Sequence, residues 1–313
     1  MRSLRSLCFI RSQLNARSLA GPSSLIVTLD THSWFPPSDS PQQKALAYVA
    51  ARSHGGPLDP TLRVTVNFHP ARFHRGVPLL RCFADDGEYR SQFETGTGNG
   101  SLSAYPGGER WHWETRLFGG AYDTASTNER PKVGALNYGR RATGASPRFG
   151  SAHLRLRPGI APRCTFCYPD ACFDPSAFGT ASRMSLIDLA ATDQRDNLDD
   201  YIEAHVHGPL RLATDVEALV LDPCFRDTEV EALAVQLPCS LEWHPGFRLH
   251  VDEMALHPSY RGPEYVALGR SLAVDGWLTP AILEMAVRTE RHHPQDLKKV
   301  WHYLARFGDR SSG

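Results

Sequence analysis

The alternation of apolar and polar positions divides the chain into three kinds of stretch. "QQKALAYVAAR", residues 42–52, is rich in helix formers and stops at "SHGGP", which predicts a short leading helix. "LRVTVNFHP" then alternates β-branched residues and closes at Pro70, the pattern of a strand. Five further strand patterns follow in series: "VGALNYG", "FGSAHLRLR", "RCTFCY", "YIEAHVHG" and "DVEALVLD". Between about 76 and 150 the chain is dense in Gly, aromatic and polar residues, as in "FETGTGNGS" and "LFGGAY", and such loops over a sheet usually carry function. From about residue 226 the period becomes helical. In "HPQDLKKVWHYLARFG" Leu297, Val300, Trp301, Leu304 and Phe307 make one stripe between Pro294 and Gly308, and "LTPAILEMAVRTER" opens with Thr279 as cap and Pro280 in the first turn. These patterns predict an α+β fold with a core over 41–225 and a helical C-terminal unit over 226–313.

Composition narrows the class. With 313 residues, 41% of them hydrophobic, the chain can bury a sizeable core. Lys+Arg and Asp+Glu balance at 34 each, so no global field favours nucleic acid or an anionic membrane surface. No apolar run is long enough for a membrane span. Residues 1–40 are set apart: Arg2, Arg5, Arg11 and Arg17, many serines and no acid before Asp30 resemble a targeting or export segment rather than part of a core. Seven cysteines without regular spacing suggest reduced thiols. Cys164 and Cys167 form a CxxC near Cys172. A zinc site would need a second ligand pair, and neither Cys224 with Cys239 nor His205 with His207 has that spacing, so the expectation is buried thiols and no metal.

The sharpest chemical feature is "DVEALVLDP", in which Asp215 and Glu217 precede an apolar run. On a strand, residues two apart share a face, so the two acids would point the same way. A two-carboxylate glycosidase would need its acids roughly 5–9 Å apart, which this pair only approaches. No GxSxG is present, and "GTGNG" lacks the strand, helix and lysine of a phosphate-cradling loop. In "YRSQFETGTGNG", Gly96, Gly98 and Gly100 would let backbone approach a ligand, while Gln92, Glu94 and Asn99 offer hydrogen bonds beside Phe93 and Thr95. Glu203 in "YIEAHVHG" heads a second alternation and is the rival carboxylate.

Three places in chain order carry a resemblance: His69 in "VNFHP", Tyr122 in "LFGGAY" and Glu217 in "EALVLD". Together they resemble the His, Tyr and Glu of poly(ADP-ribose) polymerase-like ADP-ribosyltransferases. The longer strings "YRSQFETGTGNG", "RPKVGALN", "RFGSAHLRLR" and "WHPGFRL" resemble a formerly uncharacterised bacterial family whose effector members ADP-ribosylate ubiquitin. The likeness covers roughly residues 40–308. It implies a split-sheet transferase core, NAD as co-substrate, and transfer of ADP-ribose to a protein hydroxyl, a threonine of ubiquitin, by a secreted effector acting in a host cytoplasm. Glu217 would then stabilise the charge developing on the ribose, with Asp215 as base or orienter, Tyr122 against the nicotinamide and His69 on the adenosine ribose. Arg63 and Ser151 also allow an Arg-Ser-Glu arrangement like that of the toxin-type transferases. A non-catalytic binding module and an NAD glycohydrolase are the alternative functions. The C-terminal unit, with Trp243, Tyr260 and Trp277 as anchors, would choose the protein target.

Overall fold

The computed structural model describes residue 34, residues 36–96 and residues 103–310. The Arg- and Ser-rich segment 1–29 lies outside the described residues, as do Gly98, Asn99 and Gly100. Helix α1 (Pro41–Arg52) starts where the sequence places it. Ser40 caps it by accepting from the Gln43 amide at 3.3 Å, and Pro41 sits in the first turn, where a missing N–H has no partner to lose.

Strand β1 (Val64–Phe68) is followed by a hairpin of β2 (Phe73–His74) and β3 (Val77–Pro78). Helices α2 (Leu79–Asp86), α3 (Gln92–Thr95) and α4 (Glu109–Phe118) come next. Then come β4 (Lys132–Leu136), β5 (Ala152–Leu156), β6 (Cys164–Tyr168), β7 (Ala177–Thr180), β8 (Ile202–Val206), β9 (Val216–Leu221) and β10 (Ser240–Trp243). With β1 these form an eight-stranded sheet of order β10-β9-β5-β1-β4-β8-β6-β7, in which β9 and β10 are parallel and the other pairs antiparallel. The fold is mixed α+β. Six of the eight strands are the six that alternation predicts; β7 and β10 have only four residues each, too few to show a period.

The same alternation gives the sheet two unlike faces. Val64, Val66, Phe68, Leu154, Leu156, Phe166 and Leu219 enter the main apolar core. Thr65, Asn67, His153, Thr165, Glu203 and His205 occupy the intervening positions and are also buried. Val49 of α1, Leu117 and Phe118 of α4 and Tyr122 just beyond it pack with Cys167 and Phe178 over part of this polar face. Buried polar groups are tolerated only when they find partners, so this face dictates what surrounds it.

β1 and β4 pair only at Val64–Leu136 and Thr65–Ala135, whereas β4 and β8 pair through five residues. Extending the register would set Asn67 against Val133, and that pair does not form. The sheet parts there, beside Gly134.

The boundary expected at 225/226 is crossed by the sheet, because β10 pairs with β9. Beyond it, β11 (Leu249–His250) and β12 (Trp277–Leu278) make a small ribbon. The helices Pro280–Arg288 and Pro294–Phe307 bury their predicted stripes in a second core with Phe247, Met254 and Tyr303. Trp301 ties that core back to the sheet region, its indole N–H donating to the Pro147 and Arg148 carbonyls at 3.1 Å each. Trp243, Tyr260 and Trp277 are half-buried rather than free anchors. Arg226 lies 4.2 Å over Trp243, Arg248 lies 3.9 Å over Trp277, and Tyr260 packs edge-on against Tyr303 and Phe307. No helix among the described residues is long and apolar enough to cross a membrane.

A methyl group on Gly134 would lie 2.6 Å from the Thr65 carbonyl oxygen, inside van der Waals contact with backbone. Gly134→Ala is therefore expected to destabilise by about 1–3 kcal/mol through the forced backbone shift. The reading is a lower urea midpoint at unchanged denaturant slope.

Candidate functional site

A cavity of 660 Å³ lies where β1 and β4 part. Asn67 and Phe68 from β1 and Val133 and Gly134 from β4 border it. Phe73 of the β2–β3 hairpin, Phe83 of α2, Trp113 of α4, Phe149 and Tyr201 add aromatic surface, and Arg72, Arg90, Arg148 and Lys298 add cations. Its size is that of a small-molecule or cofactor site.

Glu203 lines this cavity from the middle of β8's polar face and is 1% exposed. One carboxylate oxygen accepts from Arg110 Nη1 at 3.0 Å and meets His205 Nε2 at 3.0 Å; the other accepts from the Ala171 amide at 2.8 Å. Burial alone would push its pKa up, but Arg110, His205 and that amide together hold it below the usual carboxylate range. Arg110 continues to Glu114 at 3.4 Å, and Glu114 to Arg130 at 2.7 Å. All four side chains are buried, so the chain of alternating charge is internally neutral. Arg110 also lines the cavity, and its Nη2 is buried with no partner among the described residues. Beside Glu203, Asp170 accepts from the Tyr201 hydroxyl, and burial followed by the negative charge of Glu203 raises its pKa.

Of the residues that the sequence singles out, Gln92, Glu94 and Thr95 line the cavity. They form α3, whose capping box pairs the Ser91 amide with Glu94 at 2.7 Å and the Glu94 amide with Ser91 Oγ at 3.3 Å, and Gly96 ends it at φ 64°. Phe93 turns inward beneath the Arg130 guanidinium, 4.2 Å from its ring. Asn99 lies outside the described residues.

The remaining residues do not border the cavity. Tyr122 lies just after α4 and is 1% exposed, its hydroxyl 2.6 Å from His207 Nδ1, so no ring face is free for stacking. His69 just beyond β1 meets Glu284 of the C-terminal helices at 2.8 Å and packs edge-on against Trp301. Ser151 precedes β5 and is fully buried. Asp215 ends the helical turn Leu212–Asp215 and does not open the strand; it accepts from Arg163 and from the Arg211 amide at 2.7 Å each. Glu217 sits at a register shift of β9 against β5, 34% exposed, between Arg63 at 3.0 Å and Arg155 at 3.3 Å, and Arg155 continues to Glu242 at 2.6 Å. The paired acids of "DVE" thus serve different arginines. The physical reason is strand order: β9 is separated from the parting of β1 and β4 by β5.

Arg110, Trp113, Arg148, Asp170 and Tyr201 are the cavity residues that sequence reading passed over. The four-residue spacing of Arg110 and Glu114 in "ERWHWETR" is the one local signal that points to them. On strand β6 the two thiols of the CxxC lie three residues apart and face opposite sides. Cys164 donates to the Ile160 carbonyl at 3.3 Å, and the six cysteines among the described residues are free thiols. Cys167 does approach Glu203 and His205, all donor atoms lying within 4.8 Å. The set fits a cation poorly, because Arg110 already neutralises Glu203 and burial pushes the Cys167 thiol well above its ordinary pKa.

Truncating one member of the buried chain and one of the surface ladder should give unlike costs. Arg110→Ala strands Glu114 and Glu203 and is expected to cost about 3–5 kcal/mol. Glu217→Gln, on a half-exposed ladder, should cost about 1 kcal/mol or less. Urea denaturation of the two variants at neutral pH makes the comparison.

No curated protein matches the chain. A family described as "Protein of unknown function (DUF3626)" matches over residues 63–193 and 181–307. These two segments span nearly all of the sheet, the cavity and the C-terminal helices, and the chain belongs to this family.

Proposed function

We propose that the chain is a mono-ADP-ribosyltransferase that takes NAD into the cavity between β1 and β4 and moves ADP-ribose to a protein hydroxyl, a threonine of ubiquitin. The observation that carries this reading is Glu203: an ionised carboxylate, buried and fixed by three hydrogen-bond donors, at the one place where the central strands part. Breaking the nicotinamide–ribose bond builds positive charge on the ribose, and a preorganised carboxylate stabilises that charge where it develops. The electron pair of the C–N bond leaves with the nicotinamide, and the acceptor oxygen bonds to the same ribose carbon. Its proton passes to Asp170, whose raised pKa suits a base.

Other features of the cavity support the same ligand class. Phe73, Trp113 and Phe149 offer faces for two planar bases, and Arg72, Arg90 and Arg148, paired with Glu284, Asp86 and Asp199, bring guanidinium groups to the cavity border that a pyrophosphate would share. Arg110 also borders the cavity, and its Nη2 has no hydrogen-bond partner among the described residues. In this reading Glu203 takes the role that the family resemblance implies for Glu217, which does not border this cavity and is already held by two arginines.

Labelled NAD incubated with the protein, with and without ubiquitin, tests the proposal. Label should appear on ubiquitin. Glu203→Gln should fold, by circular dichroism, and lose transfer by about 10²–10³-fold, the typical effect of removing one preorganised transition-state contact. Glu217→Gln should retain it. Full transfer by folded Glu203→Gln sinks the assignment. NAD release of nicotinamide regardless of ubiquitin would make the protein a glycohydrolase, and binding without turnover would make it a recognition module.

A further inference from the structure

Glu203, His205 and His207 stand at alternate positions along and just past β8, so all three project from the polar face. Thr165 on β6 is the register partner of His205. Through these side chains a continuous line of contacts runs from the interior to the cavity. The Tyr122 hydroxyl is 2.6 Å from His207 Nδ1, His207 Nε2 is 2.9 Å from Thr165 Oγ1, Thr165 Oγ1 is 3.3 Å from His205 Nδ1, and His205 Nε2 is 3.0 Å from Glu203. Every member is buried.

Proton bookkeeping gives the line a direction. An ionised Glu203 can only accept, so His205 Nε2 carries a proton and its Nδ1, if the ring is neutral, accepts from Thr165. Thr165, having donated, accepts from His207 Nε2–H, and His207 Nδ1 accepts from the Tyr122 hydroxyl. Each donor in the line then has an acceptor. The reverse direction starts from a buried imidazolium at 205 and ends with the Tyr122 proton facing no acceptor, which would leave a buried donor unmet. Phe118 closes the line off from water, its ring edge-on to both imidazoles at 5.0 and 5.4 Å.

We propose that Tyr122, His207, Thr165 and His205 form one directed hydrogen-bond relay that orients Glu203 at the cavity and keeps it a charged acceptor. They are positioning residues; none borders the cavity. The charges around the relay agree with its direction. Arg110 from α4 faces Glu203, with Asp170 on its other side; burial above all disfavours an imidazolium at His207, and His205, Arg163 and Lys132 face it; and Glu114, Glu129 and Arg130 surround Tyr122. The importance given to Glu203 rests on the proposed function, whereas the relay itself does not.

Two measurements separate the two claims. Long-range ¹H–¹⁵N correlation on histidine-labelled protein, with the rings assigned by single substitution, should show the proton of each ring on Nε2, with Nδ1 of His205 and of His207 unprotonated, and His207 unchanged in pH between about 6 and 8. An imidazolium at 205 or an Nδ1–H tautomer at 207 overturns the relay, whether or not the protein turns over NAD. In the transfer assay, Thr165→Val keeps the shape and removes the hydroxyl; kcat should fall about tenfold, the scale of one buried hydrogen bond, with KM for NAD unchanged. The acid limb of the kcat profile should move to higher pH, because Glu203 is held less firmly as the anion. Thr165→Ser should restore both. A folded Thr165→Val with wild-type tautomers, kcat and pH profile overturns the proposal. Loss of transfer in Glu203→Gln alone, with no effect at 165, would leave the functional reading standing and remove the relay from it.

Discussion

Glu203 and Arg110, both buried, meet at 3.0 Å, and much of the surrounding structure follows from that pair. A carboxylate this deep in a sheet has a large desolvation penalty, which its arginine offsets only with further partners. Arg110 is itself shared with Glu114, and Glu114 with Arg130, so the charge runs along α4 and ends over the ring of Phe93. On the other side His205 and the Ala171 amide complete the carboxylate's hydrogen bonds. This neutral ion chain and the apolar residues Leu117 and Phe118 both tie α4 to the sheet.

A buried polar face also explains why the sheet parts where it does. Asn67 of β1 does not pair with β4; its side-chain amide donates to the Thr143 and Gly150 carbonyls at 2.9 and 3.3 Å, fixing the loop before β5 in the gap between strands. Gly150, at φ 153°, lets that loop approach the backbone of Phe68 so closely that a Cβ would lie 2.0 Å from its carbonyl carbon. The cavity is therefore a consequence of strand divergence stabilised from one side by loop hydrogen bonds. The C-terminal helices brace the same region. Glu284 reaches both His69 and Arg72, at 2.8 and 2.9 Å, and Arg72 borders the cavity. Burial would push the Glu284 carboxyl up, yet His69 and Arg72 hold it below its ordinary value, as expected of an anion that an imidazole and a guanidinium share.

The sequence by itself determined the elements. Period-two alternation placed six strands, Thr279 with Pro280, and Pro294, marked helix starts, and the stripe from Leu297 to Leu304 identified the buried side of the last helix. It also exposed the row Glu203, His205 and His207, because alternation on a strand is a local property. What only the tertiary structure decided is which acid faces a cavity. "DVEALVLD" and "YIEAHVHG" are equivalent as patterns: each puts a carboxylate at the head of an apolar alternation. Period tells which residues share a face but not what covers that face or where neighbouring strands diverge, and those depend on strand order. β8 lies beside β4 at the parting, while β9 lies beyond β5; Arg110, which makes Glu203 a stable anion, is 93 residues away in the chain. A partner that distant leaves no local signature, so the choice between the two acids is made by packing alone.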